Sequence, residues 1–395
     1  MKKILKLTCF ALLSLIAVGC GKKGIVPEKT VVAAYVDLEK AYENGKSVVK
    51  AVINALPSDD ERAKAVKAYE QGLKWLDKYY DSLNPKWAVI ALGGNLARFA
   101  NSRRLADHVA FAFRVDADEA TVDKLAKGEL GRERKDEEGP QPEKDKRKEG
   151  IVYTLSHGQG FIGLIDDKYL VFSLSKDAFY DMFDLYAGKS KPSKDFGNLT
   201  RISGNTICRI STAPISSLLD RFELAREIER FGEDCDDEDL ADMILSMGAA
   251  TLDIGADKED FGLSLRVVCG SASDAKILDH FFQAIAFSSR VASDIGAYAA
   301  KNPEKFKDMQ GDRRCPYREI GRLSRKISTA TDSFIALSRA LEAERDGSTA
   351  TISCLIGTED LAKLISEQIS NARKAYAEDR KVEKENANRQ QGEKR

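Results

Sequence analysis

The feature that most constrains the fold is a pattern that occurs twice. Asp107-His108-Val109-Ala110-Phe111-Ala112-Phe113-Arg114-Val115 alternates as a strand and runs into a helix start at Glu119-Ala120-Thr121-Val122-Asp123-Lys124-Leu125. Phe261-Gly262-Leu263-Ser264-Leu265-Arg266-Val267 does the same and runs into Asp274-Ala275-Lys276-Ile277-Leu278. Alternation that gives way to helical spacing marks a strand followed by a helix. Each of these strands has an upstream partner, residues 87–92 and 249–254, and further upstream another strand and helix: 31–36 with 38–56, and 206–210 with 215–231. Downstream, each region closes with a hairpin and a helix. Residues 160–165 turn at Asp166-Asp167-Lys168 into 169–174, ahead of a helix over 177–186. Residues 341–345 turn at Asp346-Gly347, a strong hairpin signal, into 349–355, ahead of a helix over 359–376. The unit β-α-β-β-α-β-β-α therefore occurs twice. Hairpins dominate and no repeated βαβ crossover is needed, which predicts an α+β fold with mainly antiparallel sheets and helices packed on one face.

The pattern sets the organisation. Module 1 spans 31–188 and module 2 spans 205–376, joined by a linker over 189–204 that carries Pro192, Gly197 and Gly204. Residues 127–150 are almost wholly charged residues, Gly, Pro and Gln, and are expected to form a disordered loop inside module 1; residues 377–395 form a tail of the same kind. A long helix starts at Asp59-Asp60-Glu61, carries Val66, Tyr69, Leu73, Leu76, Tyr80 and Leu83 at steps of three and four, and stops at Asn84-Pro85. A second stripe runs Ile320, Leu323, Ile327, Ala330, Phe334, Leu337. Such seams pack on their own domain or serve a partner.

The chain opens with Lys2, Lys3, an apolar run over 4–18 and then Gly19-Cys20. A membrane span needs roughly 18 to 20 apolar residues, and Lys6 interrupts this run early. The segment resembles the signal peptide of bacterial lipoproteins, whose lipobox is a small-residue segment ending in the cysteine that becomes lipidated. Ala17 stands where that family usually has Leu. The resemblance implies removal of residues 1–19, a tether over 20–30, and a diacylglycerol on the Cys20 sulfur with a further acyl chain on its amine. Two or three chains make a lasting anchor where one alone binds marginally, so the lipid bilayer is the first expected partner. Gly21 follows the cysteine where Asp would signal inner-membrane retention, which points to the outer membrane, facing the periplasm. A duplicated body behind such a leader is also similar to uncharacterised exported lipoproteins of bacteria, a likeness that names no activity.

The chain carries 62 basic and 63 acidic side chains, evenly mixed, without the clustered basic face that nucleic-acid binding needs. Cys208, Cys269 and Cys354 sit in strand-like apolar stretches, where cysteine serves as a small hydrophobe. Cys235 and Cys315 lie in polar stretches and are the expected disulfide if one forms. The acidic run Glu233-Asp234-Cys235-Asp236-Asp237-Glu238-Asp239 makes Asp234, Asp236 and Glu238 weak metal-ligand candidates; its residues also suit a helix N-terminus, and the spacing lacks the glycine and glutamate of an EF-hand.

Catalytic motifs are sparse. Gly158-Gln159-Gly160-Phe161-Ile162-Gly163 matches a dinucleotide fingerprint but precedes a hairpin instead of a helix. Ser47/Lys50, Ser173/Lys176 and Ser273/Lys276 match the Ser-x-x-Lys of acyl-serine enzymes, and Ser203-Gly204-Asn205 mimics a second element, yet no Lys-Thr-Gly exists. His108, His157 and His280 are the only histidines, none spaced for a shared ligand. These observations predict no cofactor and a non-catalytic, membrane-anchored envelope lipoprotein that binds an envelope protein or ligand, or supports envelope structure. The alternatives are an envelope hydrolase with a dispersed site and an assembly subunit that uses the helical stripes.

Overall fold

A computed structural model describes residues 25–56, 58–93, 108–130, 141–155, 160–214, 244–257, 259–301 and 337–366. The elements in chain order are β1 (Thr30–Asp37), α1 (Leu38–Asn54), α2 (Asp59–Leu83), β2 (Trp87–Gly93), β3 (Val109–Arg114), α3 (Glu119–Ala126), β4 (Glu143–Arg147), β5 (Gly150–Thr154), β6 (Phe161–Ile165), β7 (Tyr169–Ser173) and α4 (Lys176–Tyr186). They continue as β8 (Thr206–Thr212), β9 (Met247–Ala256), β10 (Asp260–Cys269), α5 (Ala272–Lys301), β11 (Leu341–Asp346) and β12 (Thr349–Gly357).

Among the described residues all strands join one 12-stranded sheet in the order β11-β12-β10-β9-β8-β1-β2-β3-β7-β6-β5-β4, and every pairing is antiparallel. The α+β class and the antiparallel sheet agree with the sequence. From the centre outwards the two halves follow one plan: β1-β2-β3-β7-β6 on one side, β8-β9-β10-β12-β11 on the other. Their first strands pair antiparallel, with Ala34 opposite Ile210, so the halves are related by an approximate two-fold through that pair. The expected separate sheets are therefore one sheet.

Three details differ from expectation. First, the charged stretch over 127–150 contains β4, which pairs with β5 across a turn at residues 148–149 to add a hairpin at the edge of the first half. Its sequence, Glu143-Lys144-Asp145-Lys146-Arg147, has no apolar alternation to betray a strand, because all five side chains are exposed on a sheet edge. Backbone pairing to β5 holds it, helped by Lys144 and Lys146, each 2.8 Å from Glu119 on α3.

Second, helices cover both faces. Strand register puts Val171, Ala112, Val89, Tyr35 and Arg209 in one row, and α4 packs Phe179, Met182 and Phe183 on that face. The opposite face holds Leu170, Leu164, Ile162 and Tyr153 under Leu83 of α2 and Val122 of α3. Register carries that face across the sheet to Leu265 and Ile352, against which α5 packs Leu278 and Phe282. Strands β6 and β7 are apolar without alternation, Phe-Ile-Gly-Leu-Ile and Tyr-Leu-Val-Phe, as befits strands buried on both sides.

Third, the stretch read as a linker over 189–204 is packed. Phe196 and Leu199 are buried in the core on the α4 side. The expected tether is shortened likewise, since Ile25 and Val26 are buried ahead of β1.

Local signals explain most boundaries. Ser58 caps α2 by accepting from the Glu61 amide at 3.2 Å, and Asn84 ends it in the left-handed conformation at φ 40°. The β11–β12 turn is Gly347-Ser348, one residue later than the Asp-Gly reading, between paired Asp346 and Thr349, with Gly347 at φ 56°.

At the junction of the halves, Arg209 is buried and forks onto Asp253 of β9, Nε to Oδ1 at 2.6 Å and Nη2 to Oδ2 at 2.8 Å. Its Nη1 donates to the Asn198 and Arg201 carbonyls at 3.1 and 2.9 Å, so one guanidinium ties β8, β9 and the packed connection together. Removing one partner of a buried pair strands the other's charge. Arg209→Ala is therefore expected to lower the unfolding free energy by about 3–5 kcal/mol in urea titrations. The double variant Arg209→Met with Asp253→Leu should recover part of that loss; an Arg209→Ala midpoint equal to wild type would show that the fork is not a structural tie.

Candidate functional site

The site candidates fall into those the structure brings together and those it does not. Cys20, His157, the acidic trio Asp234, Asp236 and Glu238, and the Cys235/Cys315 pair lie outside the described residues. The same holds for the stripe from Ile320 to Phe334. Cys208, Cys269 and Cys354 are free and buried, and burial raises each thiol. Cys208 is pushed up to about 12 by burial, with the Asp253 charge adding to the effect, so it stays an unreactive hydrophobe.

The Ser-x-x-Lys matches do not form a nucleophile and base. Ser173 is fully buried in β7, where its hydroxyl donates to the Val109 carbonyl at 2.7 Å and accepts from the Ser175 amide at 3.0 Å. Ser47 lies in the middle of α1, away from a helix start, and Ser273 and Lys276 are both exposed on α5. Asn205 donates its amide to Asp257 in the turn before β8. His108 is half-buried at the entry to β3, and His280 is exposed on α5. Gly163 has a packing reason to be glycine: an added Cβ would lie 2.8 Å from Phe183 and 2.9 Å from Phe179. The last glycine of the dinucleotide-like motif thus admits α4 to the sheet.

A surface cleft of about 570 Å³ lies where α1 and α2 diverge, lined by Asp37, Glu39, Lys40, Tyr42, Glu43, Tyr80, Asn84 and Pro85. Asp37 caps α1 by accepting from the Lys40 amide at 3.0 Å, which turns α1 away from the strand end. Tyr42 and Tyr80 stack with ring centroids 4.3 Å apart, and the Lys46 ammonium lies 3.6 Å from the Tyr42 centroid. The Tyr42 hydroxyl donates to Asp77 and the Tyr80 hydroxyl donates to the Leu38 carbonyl at 2.7 Å. Lys86 pairs with Glu39 at 2.6 Å on the rim.

Burial pushes the Tyr42 phenol up to about 12, and its hydrogen bond to Asp77 pushes the same way; burial also raises Tyr80. Both phenols are therefore neutral donors already engaged with acceptors, not acids or nucleophiles poised for chemistry. Sequence reasoning read Tyr80 only as a seam residue and did not single out Tyr42; the spacing of Tyr42 and Lys46 on one helix face was the available signal. The cleft can hold a small polar or cationic group against an aromatic wall with carboxylates beside it.

A second cleft of about 400 Å³ lies between α5 and the β11 edge, lined by Gln283, Phe287, Arg290, Glu342, Glu344 and their neighbours. No described helix is long and apolar enough to cross a membrane.

A phenol raised by folding makes the folded state hold its proton more tightly than the unfolded chain does. The contribution of Tyr42 is thus fully present below about pH 10 and is lost as pH rises from there to about 12, because the unfolded state ionises first. Denaturation of wild type and Tyr42→Phe across that range should show a shallower fall for the variant; parallel curves would remove Tyr42 as the titrating group.

No family model matches the chain, and no curated protein matches it. Solved structures similar to it include crystal forms I, III and IV of TP0453. The identities are 11%, 10% and 10% and the TM-scores 0.37, 0.39 and 0.39. The matches cover 88%, 88% and 90% of this chain and 97%, 98% and 99% of those chains. At TM-scores below 0.5 these likenesses give this chain neither an activity nor a ligand.

Proposed function

We propose that the protein is a bacterial envelope lipoprotein, anchored to the outer membrane by acylated Cys20, whose periplasm-facing body is non-catalytic and binds an envelope partner or supports envelope structure. The observation that carries the reading is the leader itself: a basic start, a short apolar run and Gly19-Cys20. The packing is compatible with it, because Ile25 and Val26, only a few residues behind Cys20 in sequence, are buried in the body. The non-catalytic part rests on the commitments of the polar groups. Ser173 is tied to Val109, and the Tyr42 and Tyr80 hydroxyls are tied to Asp77 and Leu38.

Cells fed an alkyne fatty acid should incorporate label into wild type and not into Cys20→Ser; equal labelling of both would remove the anchor. A serine-reactive probe should leave the protein unlabelled, and labelling lost on Ser47→Ala would replace this reading with the hydrolase.

One observation favours an assembly role beside the anchor. Of the α2 stripe only Leu83 is buried, while Val66 is 40% exposed. Native mass spectrometry is expected to show self-association that Val66→Asp weakens; a monomer alone at the highest workable concentration would reject this role.

A further inference from the structure

Helix α5 is apolar on two opposite faces. One face sends Leu278 and Phe282 into the core over Leu265 and Ile352. The other carries Ile277, Phe281, Ala284, Ser288 and Val291, all exposed, at steps of four, three, four and three. That spacing is a heptad seam, which fits a partner helix, whereas a solvated helix face carries charged or polar residues along its length. From Ile277 to Val291 the only Asp, Glu, Lys or Arg residues are Asp279 and Arg290, and neither lies on the seam. Asp279 is buried, and Arg290 donates to the Leu341 carbonyl of β11 at 2.6 Å.

The strip is wide as well as long. Phe281 is 59% exposed, and Phe287 on one flank of the seam is 68% exposed. A phenylalanine can bury roughly 150–250 Å², so these two rings alone leave about 200–300 Å² of apolar surface open. Ile277 and Val291 on the seam and Ile285 on its other flank, each more than a third exposed, extend the strip over four helical turns, about 20 Å, to the size that marks an interaction site. Doubled across a two-fold, it brings a pair of copies to about 1,000 Å², the lower range of specific interfaces.

We infer that two copies of this chain pair through α5, antiparallel and crossing at Ala284. The sequence of the seam complements itself in that arrangement. Ala284 meets the partner's Ala284, Phe281 meets the partner's Ser288, and Ile277 meets the partner's Val291, so small residues let the helices approach and each large ring finds a small neighbour. Reciprocity of this kind is what a closed two-fold interface requires. Charge agrees with it. Lys276 and Asp294, both exposed, lie about five turns apart on one flank of α5, so antiparallel pairing sets each Lys276 beside the partner's Asp294. Parallel pairing would instead oppose Lys276 to Lys276, Asp294 to Asp294 and Phe281 to Phe281. The pairing uses a different face from the α2 surface proposed above and does not depend on acylation of Cys20.

The test is made in cells that express the full chain with the photoreactive p-benzoylphenylalanine in place of Phe281, which are irradiated before the protein is digested with trypsin. Residues 277–290, from after Lys276 to Arg290, form one tryptic peptide. That peptide joined to a second copy of itself comes only from two chains, and it is the expected product, in a band of twice the mass. Ala284→Glu sets two carboxylates at the crossing and should cut this product at least about tenfold. Its thermal midpoint should stay at the wild-type value, because Ala284 is exposed. Val66→Asp should leave the product unchanged, which separates this face from the α2 surface. A cross-link found only to another peptide of the same chain, such as one within residues 320–337, would show that the chain covers its own seam and would overturn the pairing. A cross-link only to lipid or to a different protein, or none at all, overturns it equally.

Discussion

Antiparallel pairing of β1 with β8 is the contact on which both halves depend. Each half-sheet contributes its first strand to that pair, so neither β1 nor β8 is an edge, and the backbone groups of both are satisfied only when both halves are present. The pair also sets what lies beside it. Tyr35 of β1 is directly opposite Arg209 of β8, and Arg209 reaches outward to Asp253 and to two carbonyls of the connection between the halves. A buried guanidinium with carboxylate and carbonyl partners is tolerable only if the strand register and the connection are both correct. The junction therefore specifies the assembly of the halves as well as stabilising it.

The connection between α4 and β8 follows from this. It must return the chain from α4, which follows β7 in the first half, to the centre of the sheet, and it does so on the α4 side, burying Phe196 and Leu199 on the way. Val26 is hydrogen-bonded to Ser193 of the same connection, so the N-terminal entry and the crossover brace one another. Any force applied through the N-terminus is thus delivered to the element that joins the two halves.

The repeated strand-helix pattern was legible because alternation along β3 and β10 and the two hairpins is written in side-chain chemistry: Val109 to Phe113 and Leu263 to Val267 each place alternate residues against a core. The capping of α2 by Ser58 and its end at Asn84 follow the same local rules. Strand β4 is illegible for the opposite reason, since backbone pairing and ion pairs to α3 hold it and no apolar side chain marks a buried face. The second covered face was written in the unbroken apolar runs of β6 and β7, which alternation alone does not interpret. The packing of the connection is hidden in the sequence because Pro192, Gly197 and Gly204 announce turns, whereas Phe196 and Leu199 between them decide the packing. The α1–α2 cleft needed tertiary knowledge, because Tyr42 and Asp77 meet across two helices.

The sheet leaves two long edges, and their chemistry limits how a protein like this could assemble. β4 presents five exposed charged side chains, and β11 carries Glu342, Glu344, Arg345 and Asp346. Charged edges resist strand addition, because a second sheet would have to desolvate or oppose those groups. Such blunting matters most for an antiparallel sheet this wide, whose open edges would otherwise template one another. If acylation concentrates copies in a plane, encounters between neighbours become frequent while edge pairing stays unfavourable. Among the described residues, the apolar surface left for association lies on helices, where α2 leaves Val66 uncovered and α5 exposes Phe281 and Phe287, and on the sheet faces at Val268 and Leu355. Among the described residues, backbone pairing is thus consumed within the sheet, and what stays open is side-chain chemistry on the helices and on the uncovered parts of the sheet faces.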